Sequence, residues 1–338
     1  MTDNSHQDHS KGIPTPPRRL ERVCPLPWEH PVSIQQAEEL KRRQQEIMDN
    51  PSYVEPDRDV SFIHEDELRG VRLQLDYTKA EATMNAYGIH HAIVVFGSTR
   101  LKDERVAKMD HELILSKLAA DPTNSALQQE VRLSEKQVGL SRYYEVARQL
   151  GRLVGQSGHG PQDSSLVIMT GGGPGGMEAA NRGAFEVGAR TVGLNITLPR
   201  EQYPNPYITP GLCFQFHYFA LRKLHFMKRA VALVAVPGGY GTLDELFGAL
   251  TLIQTRKIAP IPIVLVGESY WREVVNFERL LEYGNIDQED LNLFWYAETA
   301  DEVWSGIKEW HRNNGTDIFD GEGHILPRTK SSLRPDPI

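Results

Sequence analysis

Two cysteines, Cys24 and Cys213, in 338 residues exclude a disulfide framework and a cysteine-rich metal site, and they fit a reducing compartment. Positive charge is short as well: 37 Lys and Arg against 45 Asp and Glu leave a formal charge of −8. Sequence-independent duplex binding needs a surplus of clustered cations, so no nucleic-acid partner is expected. Small anions are not excluded, because a few donors in one pocket suffice whatever the total charge. No apolar run reaches the roughly 18 residues of a membrane helix; the longest, Ala230 to Pro237, is strand-sized. The first residues, Met1 to His9, have neither a basic n-region nor an apolar h-region. No export signal or membrane partner is therefore expected, and the expected location is the cytoplasm.

Hydrophobic residues are 40% and charged residues 24%, enough for a sizeable core in one or two domains. Eight of the 21 prolines fall in the first 56 residues, which forbids continuous helix or strand there. Residues 1–58 read as a proline-rich extension that is partly disordered, 59–312 as one nucleotide-binding domain, and 313–338 as a polar tail. Inside the extension, Ser33 followed by Ile34, Ala37, Leu40 and Ile47 predicts an N-capped helix with a narrow apolar stripe, suited to docking on the main body or a second subunit. Leu68, Val71, Leu75 and Ala82 predict another over 66–86.

From His91 onward short apolar runs alternate with helical segments. Strands are expected at Ala92–Phe96, Leu166–Met169, Thr191–Ile196, Leu212–Phe216, Ala232–Val236, Ile261–Val266 and Leu293–Ala297. Most are continuously apolar, as parallel strands covered on both faces must be. Helices are expected between them, for example Tyr143–Gln156, Met177–Val187, Phe219–Arg229, Thr242–Gln254, Trp271–Tyr283 and Asp301–Trp310. The pattern predicts an α/β fold, a doubly wound, mainly parallel, Rossmann-like sheet with an N-terminal helical extension. The charged segment 102–135 reads as a helical insertion after the first strand.

Ligands in such sheets bind where loops leave the carboxyl ends of the strands. Three loops there stand out: Gly97-Ser98-Thr99-Arg100; Gly171-Gly172-Gly173-Pro174-Gly175-Gly176-Met177; and Pro237-Gly238-Gly239-Tyr240-Gly241-Thr242. Glycine lets backbone N–H groups approach an anion, and a helix N-terminus supplies its positive end. One such loop is often only a tight turn; two at neighbouring helices of one sheet point to an anionic ligand. Gly171, Gly173 and Gly176 satisfy G-x-G-x-x-G, but the next strand ends without an acid for ribose hydroxyls, the first being Glu201. Neither loop has the Gly-Lys-Ser/Thr of a P-loop. A mononucleotide or sugar-phosphate site remains.

Arg222, on the helix before the third loop, and Glu245, on the helix after it, can face one cleft. Each has a plainer reading: Thr242-Leu243-Asp244-Glu245 has the spacing of a capping box, and Arg222 beside Lys223 can be a surface or ion-pairing residue. His217 and His225 are eight apart, off a common helical face, and read as packing groups rather than metal ligands.

Phe219-Ala220-Leu221-Arg222-Lys223-Leu224-His225-Phe226-Met227, followed by Pro237-Gly238-Gly239-Tyr240-Gly241-Thr242-Leu243-Asp244-Glu245, resembles the Lonely Guy (LOG) family of cytokinin-activating nucleotide hydrolases. The family's signatures are an Arg-Lys pair on a helix and a P-G-G-x-G-T-x-x-E loop. The resemblance runs over residues 90–310 and is to the longer bacterial branch, whose members are often labelled lysine decarboxylases. Compact members have no counterpart of the first 85 residues or of the insertion, and they usually carry Glu-Glu where this chain has Asp244-Glu245.

The resemblance implies hydrolysis of the N-glycosidic bond of a nucleoside 5′-monophosphate, AMP or a cytokinin riboside 5′-monophosphate, to free base and ribose 5-phosphate. It implies Arg222 and Glu245 as the catalytic pair, and phosphate held by Gly238, Gly239, Gly241 and Thr242. Gly97, Ser98, Arg100, Gly171, Gly172, Gly173, Gly176, Met177 and Lys223 would complete the nucleotide site. It also implies a homodimer or higher homo-oligomer, and neither cofactor nor metal is expected. Such cleavage passes through a ribosyl cation, so a carboxylate held ionised near a helix N-terminus suits Glu245 to holding ribose hydroxyls, stabilising the cation or orienting water. No candidate for protonating the base is evident. Two other readings stay open: a nucleotide or cofactor carrier without turnover, and a pyridoxal-phosphate decarboxylase, for which Lys223 is the one lysine near the loops.

Overall fold

The computed structural model describes residues 33–197, 203–316 and 318. The chain divides into two compact units, one ending at Leu68 and the other beginning at Arg69. The expected disorder of the first residues and most of the polar tail lie outside the described residues.

In the first unit, α1 (Ile34–Met48) starts where the sequence places it, with the Ser33 side chain accepting from the Gln36 N–H. Its Leu40 and Ile47 are more than half exposed. A short α2 (Val60–Ile63) follows, capped by Asp59.

The second unit opens with α3 (Arg69–Ala86) and continues β1 (His91–Phe96), α4 (Glu104–Ala120), α5 (Ser125–Leu140), α6 (Arg142–Gly155), β2 (Leu166–Thr170), α7 (Gly176–Glu186), β3 (Thr191–Ile196) and β4 (Cys213–Phe216). It ends with α8 (Phe219–Arg229), β5 (Ala230–Ala235), α9 (Tyr240–Gln254), β6 (Ile263–Val266), α10 (Glu268–Val274), α11 (Phe277–Glu282), β7 (Phe294–Ala297) and α12 (Ala300–Asn313). All seven expected strands form. They make one sheet in the order β4-β3-β2-β1-β5-β6-β7, with every pairing parallel.

The pleat explains why the central strands are apolar on both faces, while the edge strand β4 alternates exposed and buried residues. In β1, Ala92, Val94 and Phe96 join a core with Met84 of α3, Phe226 of α8, Leu246 of α9 and Trp271 of α10. Ile93 and Val95 point the other way, into a second core with Tyr143 and Leu150 of α6, Ala180 of α7 and Val303 of α12. His225 is fully buried in the first layer, stacked on Tyr77 and tilted against Phe216; burial pushes its pKa down to about 4.

Some boundaries differ from the sequence reading for local reasons. The insertion is two helices rather than one block: Asp121 ends α4, and Asn124 caps α5 by accepting from Ala126 and Leu127 N–H groups. The helix expected over 271–283 is broken, because Val275 is extended and Asn276 caps a new helix, α11. Most consequential is α9, which begins at Tyr240, two residues before Thr242.

Strands β2 to β4 extend on one side of β1, and the chain then returns to lay β5 on its other side. The order therefore reverses between β1 and β5, and the loops leaving these two strands diverge to open a crevice.

Candidate active site

Main-chain contacts tie the three glycine loops together at that crevice. The Ser98 N–H donates to the Pro237 carbonyl at 2.9 Å, and the Gly176 N–H donates to the Ser98 carbonyl at 3.0 Å. Gly175 has a φ of 77°, and a Cβ there would overlap the Ser98 carbonyl oxygen, so both the backbone conformation and the close approach require glycine. A Cβ on Gly238 would overlap the Thr242 hydroxyl. From the other side, the Tyr270 hydroxyl donates to the Gly238 carbonyl at 2.7 Å.

A cavity of about 700 Å³ opens above these loops. Of the residues singled out in the sequence, Gly97, Ser98, Arg100, Gly171, Met177, Arg222, Gly238, Gly239, Gly241, Thr242 and Glu245 lie on its wall. Gly172, Gly173, Gly176 and Lys223 do not. The second loop's polar groups are spent internally: the Gly172 N–H donates to Thr170 Oγ1 at 3.0 Å, and Asn205 donates to the Gly172 and Gly173 carbonyls at 2.8 and 3.1 Å. Asn181 joins this buried network, accepting from the Thr170 hydroxyl and donating to that of Thr191. Lys223 Nζ lies 2.9 Å from Asp244 Oδ2 and 4.0 Å from Glu245 Oε2. Sequence reading missed Gln137 and Leu140 of α5, Asn195 of β3, Phe219 of α8 and Tyr270 of α10, all wall residues. None sits in a glycine motif, so only the fold brings them in.

Glu245 and Arg222 meet at the wall as expected. Glu245 is 3% exposed, and its Oε1 lies 3.7 Å from Arg222 Nη2. The guanidinium also lies over the Phe219 ring, 4.6 Å from its centroid, a cation–π arrangement. Two atoms of the pair, Glu245 Oε1 and Arg222 Nε, are buried without a hydrogen-bond partner. Buried polar atoms left this way in a cavity wall are costly, and a water or a ligand in the cavity would relieve them.

Two sequence expectations about Glu245 are corrected. Glu245 is not the N3 residue of a capping box, because α9 begins at Tyr240 with Gly239 as its N-cap and no side-chain cap. Nor is the carboxylate held firmly ionised. It sits beyond the first turn and accepts no N–H; burial pushes its pKa up to about 6 against the pull of Lys223 and Arg222. Burial likewise lowers that of Arg222, which keeps its charge nonetheless.

A family model described as "Possible lysine decarboxylase" matches residues 177–307, the stretch holding the charged pair and the third loop. A rice (Oryza sativa subsp. japonica) protein named as a probable cytokinin riboside 5′-monophosphate phosphoribohydrolase of the LOG type is 28% identical over 152 residues. That alignment covers 44% of this chain and 64% of the rice protein, so the chain spans less than two thirds of that relative's length. An Arabidopsis thaliana cytokinin riboside 5′-monophosphate phosphoribohydrolase is 26% identical over 148 residues, 43% of this chain and 67% of its own.

The chain is homologous to the LOG proteins.

The LOG-like stretch leaves α3, the first loop and the α4–α5 insertion outside the family match. Among solved structures, the Moco carrier protein from Chlamydomonas reinhardtii aligns at 24% identity over 51% of this chain and 88% of that one, with a TM-score of 0.35. The decarboxylase description finds no support in the LOG-like site itself. Pyridoxal phosphate needs a lysine for its Schiff base; among the described residues the cavity wall carries none, and Lys223 is engaged by Asp244 outside it. The residues present do not fit that cofactor.

Proposed function

We propose that the protein hydrolyses the N-glycosidic bond of a nucleoside 5′-monophosphate, releasing free base and ribose 5-phosphate. The observation that carries this reading is the buried Arg222–Glu245 pair, with Oε1 and Nε unpartnered, facing a cavity beside the glycine loops at the switch point. The named activity of the LOG relatives agrees with it. Phosphate docks at the N-terminus of α9, where Gly238, Gly239 and Gly241 admit an anion close to the backbone. The ribose then lies toward Glu245.

Water attacks the anomeric carbon as the C–N bond breaks, hydroxide going to the sugar and the proton finishing on the base. Positive charge develops on the ribose in between, and a carboxylate beside it offsets that charge. A pKa of about 6 also lets Glu245 accept the proton of the attacking water near neutral pH, where general bases are most effective. Arg222 holds the carboxylate in place, and a second water protonates the departing base and takes back the proton that Glu245 accepted, which restores the carboxylate. AMP and a cytokinin riboside 5′-monophosphate are the substrates we favour. A carrier without turnover has no use for a carboxylate destabilised in this way.

The test is incubation with a panel of nucleoside 5′-monophosphates, with free base followed by chromatography; no base released from any of them would overturn the reading. For an active substrate, the rate should fall with acidity through about pH 6, approaching tenfold per unit below it. Substrate phosphate titrates in the same region, so Arg222→Gln supplies the contrast. Removing the guanidinium's pull moves a limb owed to Glu245 to higher pH and leaves one owed to phosphate in place.

Assembly as a homodimer or a higher multiple belongs to the same proposal. Val106, Met109 and Leu113 form an exposed stripe along α4, more apolar surface than a solvated helix needs. Light scattering at micromolar concentration should give at least twice the chain mass; a monomer would remove the idea.

A further inference from the structure

Helix α8 carries Arg222 in its first turn, yet nothing on α8 caps that turn: its N-cap residue is Tyr218, which makes no side-chain capping bond. The missing cap comes from α3. Asp76 Oδ2 accepts the N–H of His217 at 2.8 Å and of Tyr218 at 3.1 Å, while Oδ1 lies 3.1 Å from His217 Nδ1. Arg72, one turn earlier, reaches the Tyr218 hydroxyl at 3.4 Å. The Asp76 carboxylate, 7% exposed, thus anchors the start of the helix that presents Arg222. It also places a negative charge where a helix terminus favours one.

The opposite end of α8 is held independently. Glu81 of α3 lies 2.7 Å from Arg229 Nη1 and 3.2 Å from Lys228 Nζ. Burial works against its charge, but these two cations bring its pKa down to about 2. One helix therefore grips both ends of another, and only the Asp76 end bears on the cavity wall.

We infer that Asp76 is a positioning residue for the reaction: it sets Arg222 against Glu245 from a helix outside the LOG-like stretch. This rests on the proposed hydrolysis. Asp76 touches neither cavity nor substrate and acts through α8. The glycine loop assigned to phosphate sits on other elements, β5 and α9. Releasing the start of α8 consequently disturbs the chemical step while the phosphate anchor stays in place; Phe219, in the same turn, lines the cavity wall, so KM moves less than kcat.

The experiment compares wild type, Asp76→Ala, Asp76→Asn and Glu81→Gln on the nucleoside monophosphate the wild type cleaves best. Asp76→Ala should lower kcat about tenfold with KM within about twofold. Asp76→Asn, whose amide oxygen still accepts from the two backbone N–H groups, should recover most of kcat. Glu81→Gln should lose thermal stability at least as much as Asp76→Ala while keeping kcat. Equal loss of kcat in Asp76→Ala and Glu81→Gln, or a loss in proportion to melting temperature, would reduce Asp76 to a general support and overturn the inference. Unchanged kcat in Asp76→Ala would overturn it as well. A wild type inactive on the whole panel would instead sink the proposed hydrolysis, so the two failures are distinct.

Discussion

Glu245→Gln is expected to cut turnover by about 10³ or more and, at the same time, to make the protein more stable at pH 7. The first effect follows because an amide neither accepts the proton of water nor balances a ribosyl cation. The second follows from linkage. Burial raises the folded pKa to about 6 from an ordinary 4.5, so between those two values the folded state binds more protons than the unfolded. Stability is then full below the lower value and declines as pH rises through about 6. Above it the ionised carboxylate costs about 2 kcal/mol, a pKa unit being worth 1.36 kcal/mol. The neutral glutamine avoids that cost, since the pKa already includes the attraction of Arg222 and Lys223. Unfolding scans should show the variant a few degrees above wild type at pH 7, with the gap closing by pH 4.5. Activity near wild type, or lower stability at both pH values, would return Glu245 to a supporting role.

The second large effect concerns the 5′-phosphate. The N-cap of α9 is Gly239, which offers no side-chain oxygen to the first turn, and Gly239 and Gly241 are exposed. That end of the helix is left for an anion from outside the chain. A nucleoside without phosphate forgoes this contact and the positioning it brings to the reacting bond, which we expect to cost at least about 10³ in kcat/KM, or about 4 kcal/mol. Comparing AMP with adenosine under one set of conditions reads this directly. Similar rates for the two would show that the glycine loops do not hold phosphate.

The sheet was legible in advance because parallel strands buried on both faces read as continuous apolar runs: β3 and α8 have the expected limits, and other strands shift by one or two residues. The glycine loops and the charged pair were legible for a similar local reason, since each motif is contiguous. What escaped depends on long reach. Asp76 bonds to a residue 141 positions away, and Tyr270 braces a loop 32 positions before it. Neither pairing leaves a periodic trace. The capping-box reading of Glu245 fails because Thr-x-x-Glu only resembles a helix start, whereas the helix already begins at Tyr240. Its raised pKa follows from burial that the helix pattern does not announce.

The cradle assigned to phosphate is made mainly of main chain, and the loops around it are joined by carbonyls and N–H groups: Ser98 to Pro237, and Gly176 to Ser98. The other walls are side chains from separate helices, Gln137 and Leu140 on α5, Phe219 on α8 and Tyr270 on α10. Backbone recognition is indifferent to what those side chains are. On the proposed reading, mutational drift can therefore reshape the rest of the cavity while the anchor stays intact, so descendants of one ancestral scaffold can diverge in diet without first losing their grip on the common handle.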